Sequence, residues 1–218
     1  MKWIKKGILY KPNSKFKWQN SHAALPSVIH INDDIYRVFF TSRDCKNHAY
    51  VGFFDWEIGV PGKIINISNK PVLTPGKWGY FDDHGCQATS VVQHNNKFYM
   101  YYLGWNVGEP SPLFYTSIGV AISEDGINFN KYSKSPILSR SEFDPWMVSG
   151  GTVLCENGLW RMYYLSGMKF EWVDNKPRSF YDIKIARSKD GINWDRNGEV
   201  ALALAKDESN ISRLTIIK

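Results

Sequence analysis

Apolar residues in this chain come in short runs of about five, closed off by Asn, Asp and Gly. No stretch keeps a 3.6-residue apolar period, so helix is expected to be minor. Three runs are rich in β-branched residues: Ser27-Val28-Ile29-His30-Ile31, Thr89-Ser90-Val91-Val92-Gln93 and Gly151-Thr152-Val153-Leu154-Cys155. Each leads through turn residues (Asn32-Asp33-Asp34, Asn95-Asn96-Lys97, Glu156-Asn157-Gly158) into an aromatic phrase. The phrases read Tyr36-Arg37-Val38-Phe39-Phe40, Phe98-Tyr99-Met100-Tyr101-Tyr102 and Trp160-Arg161-Met162-Tyr163-Tyr164. Two such runs across an Asn- or Gly-containing link predict an antiparallel hairpin. A third strand is expected at residues 50–54, 118–122 and 183–187. The last two run into Ser123-Glu124-Asp125-Gly126-Ile127-Asn128-Phe129 and Ser188-Lys189-Asp190-Gly191-Ile192-Asn193-Trp194. There Asp-Gly predicts a tight turn, and the closing aromatic anchors a fourth, outer strand.

The phrases are evenly spaced: Val38, Met100 and Met162 lie 62 residues apart. Equal spacing identifies an array of similar units. Four antiparallel strands per unit make a β-propeller blade. The reading is a single all-β domain over residues 1–218, of the five-bladed propeller type, with about three four-stranded blades and one strand of a fourth. The units fall at approximately 19–81, 82–143, 144–206 and a partial 207–218. In the last, Leu214-Thr215-Ile216-Ile217 aligns with Gly151-Thr152-Val153-Leu154, so an incomplete propeller is expected.

Composition agrees with sheet. Hydrophobic residues make up 43% of the chain and aromatics 15%, enough for a real core and in keeping with pleated packing. Flat rings also stack on sugars. The net charge of +6 arises partly from Lys2, Lys5, Lys6, Lys11, Lys15 and Lys17. These alternate with apolar residues and accompany no nucleic-acid motif, so a solvated basic surface is expected and nucleic acid is not a partner. Cys45, Cys86 and Cys155 show no CxxC spacing, which argues against a zinc site or a disulfide framework. No metal or cofactor is required. The start lacks the apolar stretch of a signal peptide, and no run reaches the length of a membrane span. A cytoplasmic protein without a membrane partner is expected; oligomeric state is not readable.

The Tyr-Met-Tyr-Tyr type strand, the Ser-x-Asp-Gly-x-x-Trp turn and the blade length resemble the five-bladed propeller glycosidases. These are glycoside hydrolase families 43, 32 and 68 and the mannoside phosphorylases of family 130. The resemblance covers roughly residues 18–218. It implies a carbohydrate substrate in an axial funnel walled by the starts of the innermost strands. In the hydrolases three acids from different blades do the chemistry, as base or nucleophile, general acid, and orienting group.

Acids recur where the resemblance asks for them. Asp82, Asp144 and Asp207 each lie nine residues before an inner-strand residue (Val91, Val153 and Ile216), with Asp83 and Glu208 next to two of them and Glu142 nearby. Glycoside hydrolysis needs two carboxyls about 5 Å apart for retention, or about 6.5–9.5 Å for inversion. Asp83 and Glu208 are the leading acid and base candidates, with Asp82 beside them. His84 and His22 are candidate sugar contacts that can also carry a proton. The unit-one entrance, Gln19-Asn20-Ser21-His22-Ala23-Ala24-Leu25-Pro26, contains no carboxylate, unlike the hydrolases. Arg43 and Arg213 are candidates for an anionic sugar group or phosphate, Trp105 and Trp172 for stacking, and Glu171 for a third-loop acid or substrate contact. The functional reading is glycosidic bond cleavage in an oligo- or polysaccharide by carboxylate acid/base chemistry. A non-catalytic carbohydrate-binding protein and a glycoside phosphorylase stand as alternatives.

Overall fold

The computed structural model describes residues 4–5, 7–59, 63–109 and 113–216. Among them the chain forms twelve β-strands and no helix. The first blade is β1 (Ser21–Asn32), β2 (Ile35–Arg43), β3 (Ala49–Glu57) and β4 (Ile64–Ile67). The second is β5 (Gly85–His94), β6 (Lys97–Val107), β7 (Phe114–Ser123) and β8 (Asn130–Lys131). The third is β9 (Met147–Glu156), β10 (Leu159–Val173), β11 (Lys176–Ser188) and β12 (Val200–Leu202). Each is an antiparallel meander. One parallel bridge, Ala49 to Gly85, joins the first two blades into a continuous sheet.

The hairpin links behave as their residues require. Asn95 and Asn96 both take positive φ (47° and 58°), as do Asn157 and Gly158 (52° and 75°). Two such residues give the twist that closes a two-residue hairpin.

The aromatic phrases are explained by packing on two sides. Successive side chains of a strand point to opposite faces. On one face, Phe39 and Leu73 of the first blade pack against Met100, Tyr102 and Ala121 of the second. On the next junction, Tyr101 and Leu138 of the second blade pack against Met162, Tyr164 and Ala186 of the third. A central strand buried on both faces needs apolar residues at every position, so the phrase loses polar alternation. The opposite face of the first blade (Val38, Phe40, Phe54) is covered by Tyr10, Phe16 and Trp18, residues that precede it in the chain. Gly52 admits this cover, since a Cβ there would lie 2.2 Å from the Trp18 ring.

Hydroxyls clasp the inner strands to one another. The Val91 N–H donates to Ser27 Oγ at 3.1 Å, and the Val153 N–H donates to Ser90 Oγ at 3.1 Å. Thr152, at the matching place in β9, donates instead to the Leu214 carbonyl. Residues 211–216 thus lie beside β9, where a further inner strand was expected, but they form no ladder. The inner strand of each blade is held by its own antiparallel neighbour, and residues 211–216 have none among the described residues. Ile217, the end of that expected strand, lies outside them.

Candidate functional site

The starts of β1, β5 and β9 converge on a cavity of about 500 Å³. Leu25 of β1, Gln87 and Thr89 of β5, and Ser149 and Gly150 of β9 form its inner wall. Gln87 and Thr89 both face the cavity, beside a bulge of β5 between Ala88 and Ser90. Leu103 and Trp105 of β6, Thr116 of β7, Leu165 of β10, Arg43 at the end of β2, Asn47 just after it, and Ser212 and Arg213 complete much of the lining. Trp105 has room because Gly85 has no side chain: a Cβ there would sit 2.2 Å from the indole nitrogen. Its Nε1 is buried without a hydrogen-bond partner.

Three expected contacts therefore meet at the cavity: Arg43, Trp105 and Arg213. The Arg43 guanidinium lies 5.7 Å from the Trp105 ring centre and donates to Asn47 Oδ1 at 2.8 Å. Arg213 donates from Nη1 to the Pro26 carbonyl at 2.9 Å and from Nη2 to the Thr89 carbonyl. Burial pulls its pKa below the ordinary value.

The acids are placed elsewhere, and no carboxylate lines the cavity among the described residues. Asp82 is buried in the second blade, where Lys131 Nζ lies 2.6 Å from Oδ2 and the Tyr102 hydroxyl donates to it at 3.2 Å. Asp144 repeats the arrangement in the third blade: Arg196 Nη1 at 2.8 Å, the Tyr164 hydroxyl at 3.2 Å and the Ser141 hydroxyl at 2.9 Å. These two carboxylates are each engaged by a cation and a tyrosine hydroxyl within their own blade. Glu208 is exposed and accepts the Ala205 N–H at 2.9 Å within its own turn. Asp207 and Glu142 are also exposed. Glu171 is exposed and paired with Lys169 at 2.6 Å. Trp172 is 67% exposed on the extended β10–β11 hairpin and meets no cavity wall. His22 is exposed, with Nδ1 2.8 Å from Ser21 Oγ.

Asp83 and His84 lie just behind the Trp105 wall. His84 Nδ1 is 2.6 Å from Asp83 Oδ1, which also accepts Asn106 Nδ2 at 2.7 Å. The Gly79 N–H donates to the other oxygen at 2.9 Å. Burial pushes the Asp83 pKa up, but the Gly79, His84 and Asn106 bonds outweigh it and hold the carboxyl below its ordinary 3.8. The His84 ring is 5.7 Å from Trp105 and 5.8 Å from His48. His48 is held in turn by Asp44, with Nδ1 3.2 Å from Oδ2.

Counting from the inner strands did not single out Gln87, Thr89, Ser149 or Asn47; the bulge of β5 interrupts the alternation that would have marked the first two. Asp182 was missed as well. Burial raises its pKa while Lys184, 3.5 Å away, works against the shift, but it is not at the cavity wall. No group of three or more His, Cys, Asp or Glu among the described residues is placed to hold a metal ion. No helix long and apolar enough to cross a membrane is present among the described residues.

The chain matches the family described as Glycosyl hydrolases family 32 N-terminal domain over residues 13–211. It is 34% identical over 219 residues to an uncharacterized protein of Mycobacterium tuberculosis (strain CDC 1551 / Oshkosh), covering 100% of this chain and 72% of that protein. It is 27% identical over 140 residues to a β-1,2-mannobiose phosphorylase of Thermoanaerobacter sp. (strain X514), covering 61% of this chain and 44% of the phosphorylase. Its fold is similar to the crystal structure of a glycosyl hydrolase from Bacteroides ovatus, with a TM-score of 0.62 at 17% identity, over 89% of this chain and 58% of that one. The match therefore spans less than two thirds of the length of the latter two.

Proposed function

Because the chain belongs to the Glycosyl hydrolases family 32 N-terminal domain family, we propose that it acts on glycosidic bonds of a carbohydrate seated in the axial cavity. The observation that carries this reading is the cavity itself. Inner strands of three blades wall it, Trp105 offers an aromatic surface, and Gln87, Thr89 and Ser149 offer neutral hydrogen-bonding groups. Apolar walls with a few convergent polar groups are the usual form of a small-ligand site.

The roles differ from those expected of the entrance acids. An ionised carboxyl accepts a proton and does not donate one, so Asp83, set behind the cavity wall, suits an orienting group that acts through His84. His84 is fixed through Nδ1 by Asp83, which orients its ring beside Trp105. Asp82 serves the fold, and Glu208 serves its own turn. Phosphorolysis is the second reading. It is favoured by a lining with two arginines and no carboxylate, since phosphate then supplies the attacking oxygen. A cytoplasmic location belongs to the same proposal, supported by three free cysteine thiols.

The test is a screen of oligosaccharides, with and without inorganic phosphate, for released reducing sugar or sugar phosphate. Asp83→Asn is expected to lower turnover about a hundredfold or more, and Glu208→Gln to leave it unchanged. Turnover that survives Asp83→Asn removes that residue from the chemistry. Sugar binding with no turnover under either condition replaces the enzymatic reading with a binding one.

A further inference from the structure

We propose that Arg43 and Arg213 form an oxyanion subsite in the axial cavity, so that the carbohydrate it takes is an acidic one, recognised at a carboxylate or phosphate. The proposal rests on the reading of this cavity as a carbohydrate site and adds the class of sugar.

The argument is one of uncompensated charge. Five other cations are drawn wholly or partly into the interior, and each meets a carboxylate; one is Arg161, 2.7 Å from Glu156. Arg37 lies 2.7 Å from Asp55, Lys131 2.6 Å from Asp82, Arg196 2.8 Å from Asp144, and Lys184 3.5 Å from Asp182. Such pairing is what burial of charge demands. Arg43 and Arg213 break the pattern. Both are at least partly buried, both line the cavity, and neither has an acidic partner among the described residues. The cavity wall thus carries two positive charges and no negative one.

The donors are also available. A guanidinium has five N–H groups. Arg43 gives one to Asn47, and Arg213 gives two to the backbone carbonyls of Pro26 and Thr89. Carbonyl partners fix the Arg213 fork without neutralising it. Arg43 is steadied by the Trp105 ring, 5.7 Å away. An anion reaching the cavity finds two pre-positioned forks of the kind that binds carboxylate and phosphate well. A sugar ring carrying that anion has Trp105 to lie against.

Calorimetric titration distinguishes the possibilities. The probes are a uronic-acid trisaccharide, its neutral counterpart with each carboxyl reduced to an alcohol, a hexose phosphate, and inorganic phosphate. At least one of the two acidic sugars is expected to bind about tenfold or more tighter than the neutral trisaccharide. That preference should fall as salt is raised and vanish in Arg43→Gln. Arg213→Gln should act alike; if it does not fold, Arg213→Lys should keep part of the preference. Preference for the uronic acid or the hexose phosphate identifies where the oxyanion resides, whereas binding of inorganic phosphate with no preference for either acidic sugar overturns the acidic-sugar assignment. Equal affinity for acidic and neutral sugars, equal losses for both in Arg43→Gln, or no binding of any probe overturns the subsite. Cleavage of neutral glycans without charge preference would leave the glycosidic reading standing and the subsite fallen. Charge-selective binding with no cleavage of any glycan would do the reverse.

Discussion

Asp82 and Asp144 occupy matching places in two blades and do the same work. Each buried carboxylate takes a cation and the hydroxyl of the last tyrosine in the aromatic phrase, Tyr102 or Tyr164. In the first blade that position is Phe40, which has no hydroxyl, and Trp18 packs there instead. Removing one member of a buried pair strands the other, at a cost of about 3–5 kcal/mol. Asp144→Ala is therefore expected to destabilise the protein by about that much in urea denaturation, since it leaves Arg196 without its carboxylate while Lys184 keeps Asp182. A loss below about 1 kcal/mol would contradict the pairing. The spacing of these acids was legible in the sequence, but their direction was not. Counting back from an inner strand crosses the turn at residues 81–84, where strand alternation no longer fixes which way a side chain points.

The Ser-x-Asp-Gly turn is the element whose chemistry was most fully legible. Ser123 Oγ accepts the Gly126 N–H at 3.0 Å, and Asp125 Oδ1 accepts the N–H groups of Ile127 and Asn128 at 2.8 and 2.7 Å. Ser188, Asp190, Gly191, Ile192 and Asn193 reproduce this arrangement. What the sequence did not disclose is the turn's tertiary use. The Gly126 carbonyl accepts Arg37 of the first blade at 3.1 Å, and the Gly191 carbonyl accepts the Tyr101 hydroxyl of the second at 2.8 Å. Each turn is a docking point for the blade before it. The Asn128 and Ile127 N–H bonds hold the Asp125 pKa well below its ordinary 3.8. The folded turn thus binds a proton less readily than the unfolded chain. Its contribution is complete above the unfolded value and is lost as pH falls through the folded one. Asp125→Asn should lower stability at neutral pH and flatten its decline on acidification, read as urea midpoints across the acid range. Parallel declines in the two proteins would show that this carboxylate carries no pH-linked stability.

Across the whole molecule, burial passes from blade to blade. Leu73 and Leu138, bridged to Val51 and Ile118, are each 4% exposed beneath the following blade. Leu202 pairs with Ile183 at the matching place in the third blade and is 47% exposed. Leu138→Ala should cost about 2–5 kcal/mol, the range for a large-to-small change in a packed core. Leu202→Ala should cost less than about 1 kcal/mol, since little packing is lost. Similar shifts of the thermal midpoint for both would contradict this account of the blade junctions. The sequence by itself determined the strands, their hairpins and the blade spacing, because β-branched and aromatic runs and turn chemistry are local properties of the chain. It also marked Arg43, Trp105 and Arg213 as candidate contacts. Only the tertiary structure decided that these three share one cavity, that Asp82 and Asp144 are engaged inside their blades, and that its lining holds no carboxylate. The reason is range: Arg213 reaches the Pro26 carbonyl across 187 residues of chain, and such convergence is set by packing between blades, which no local pattern encodes.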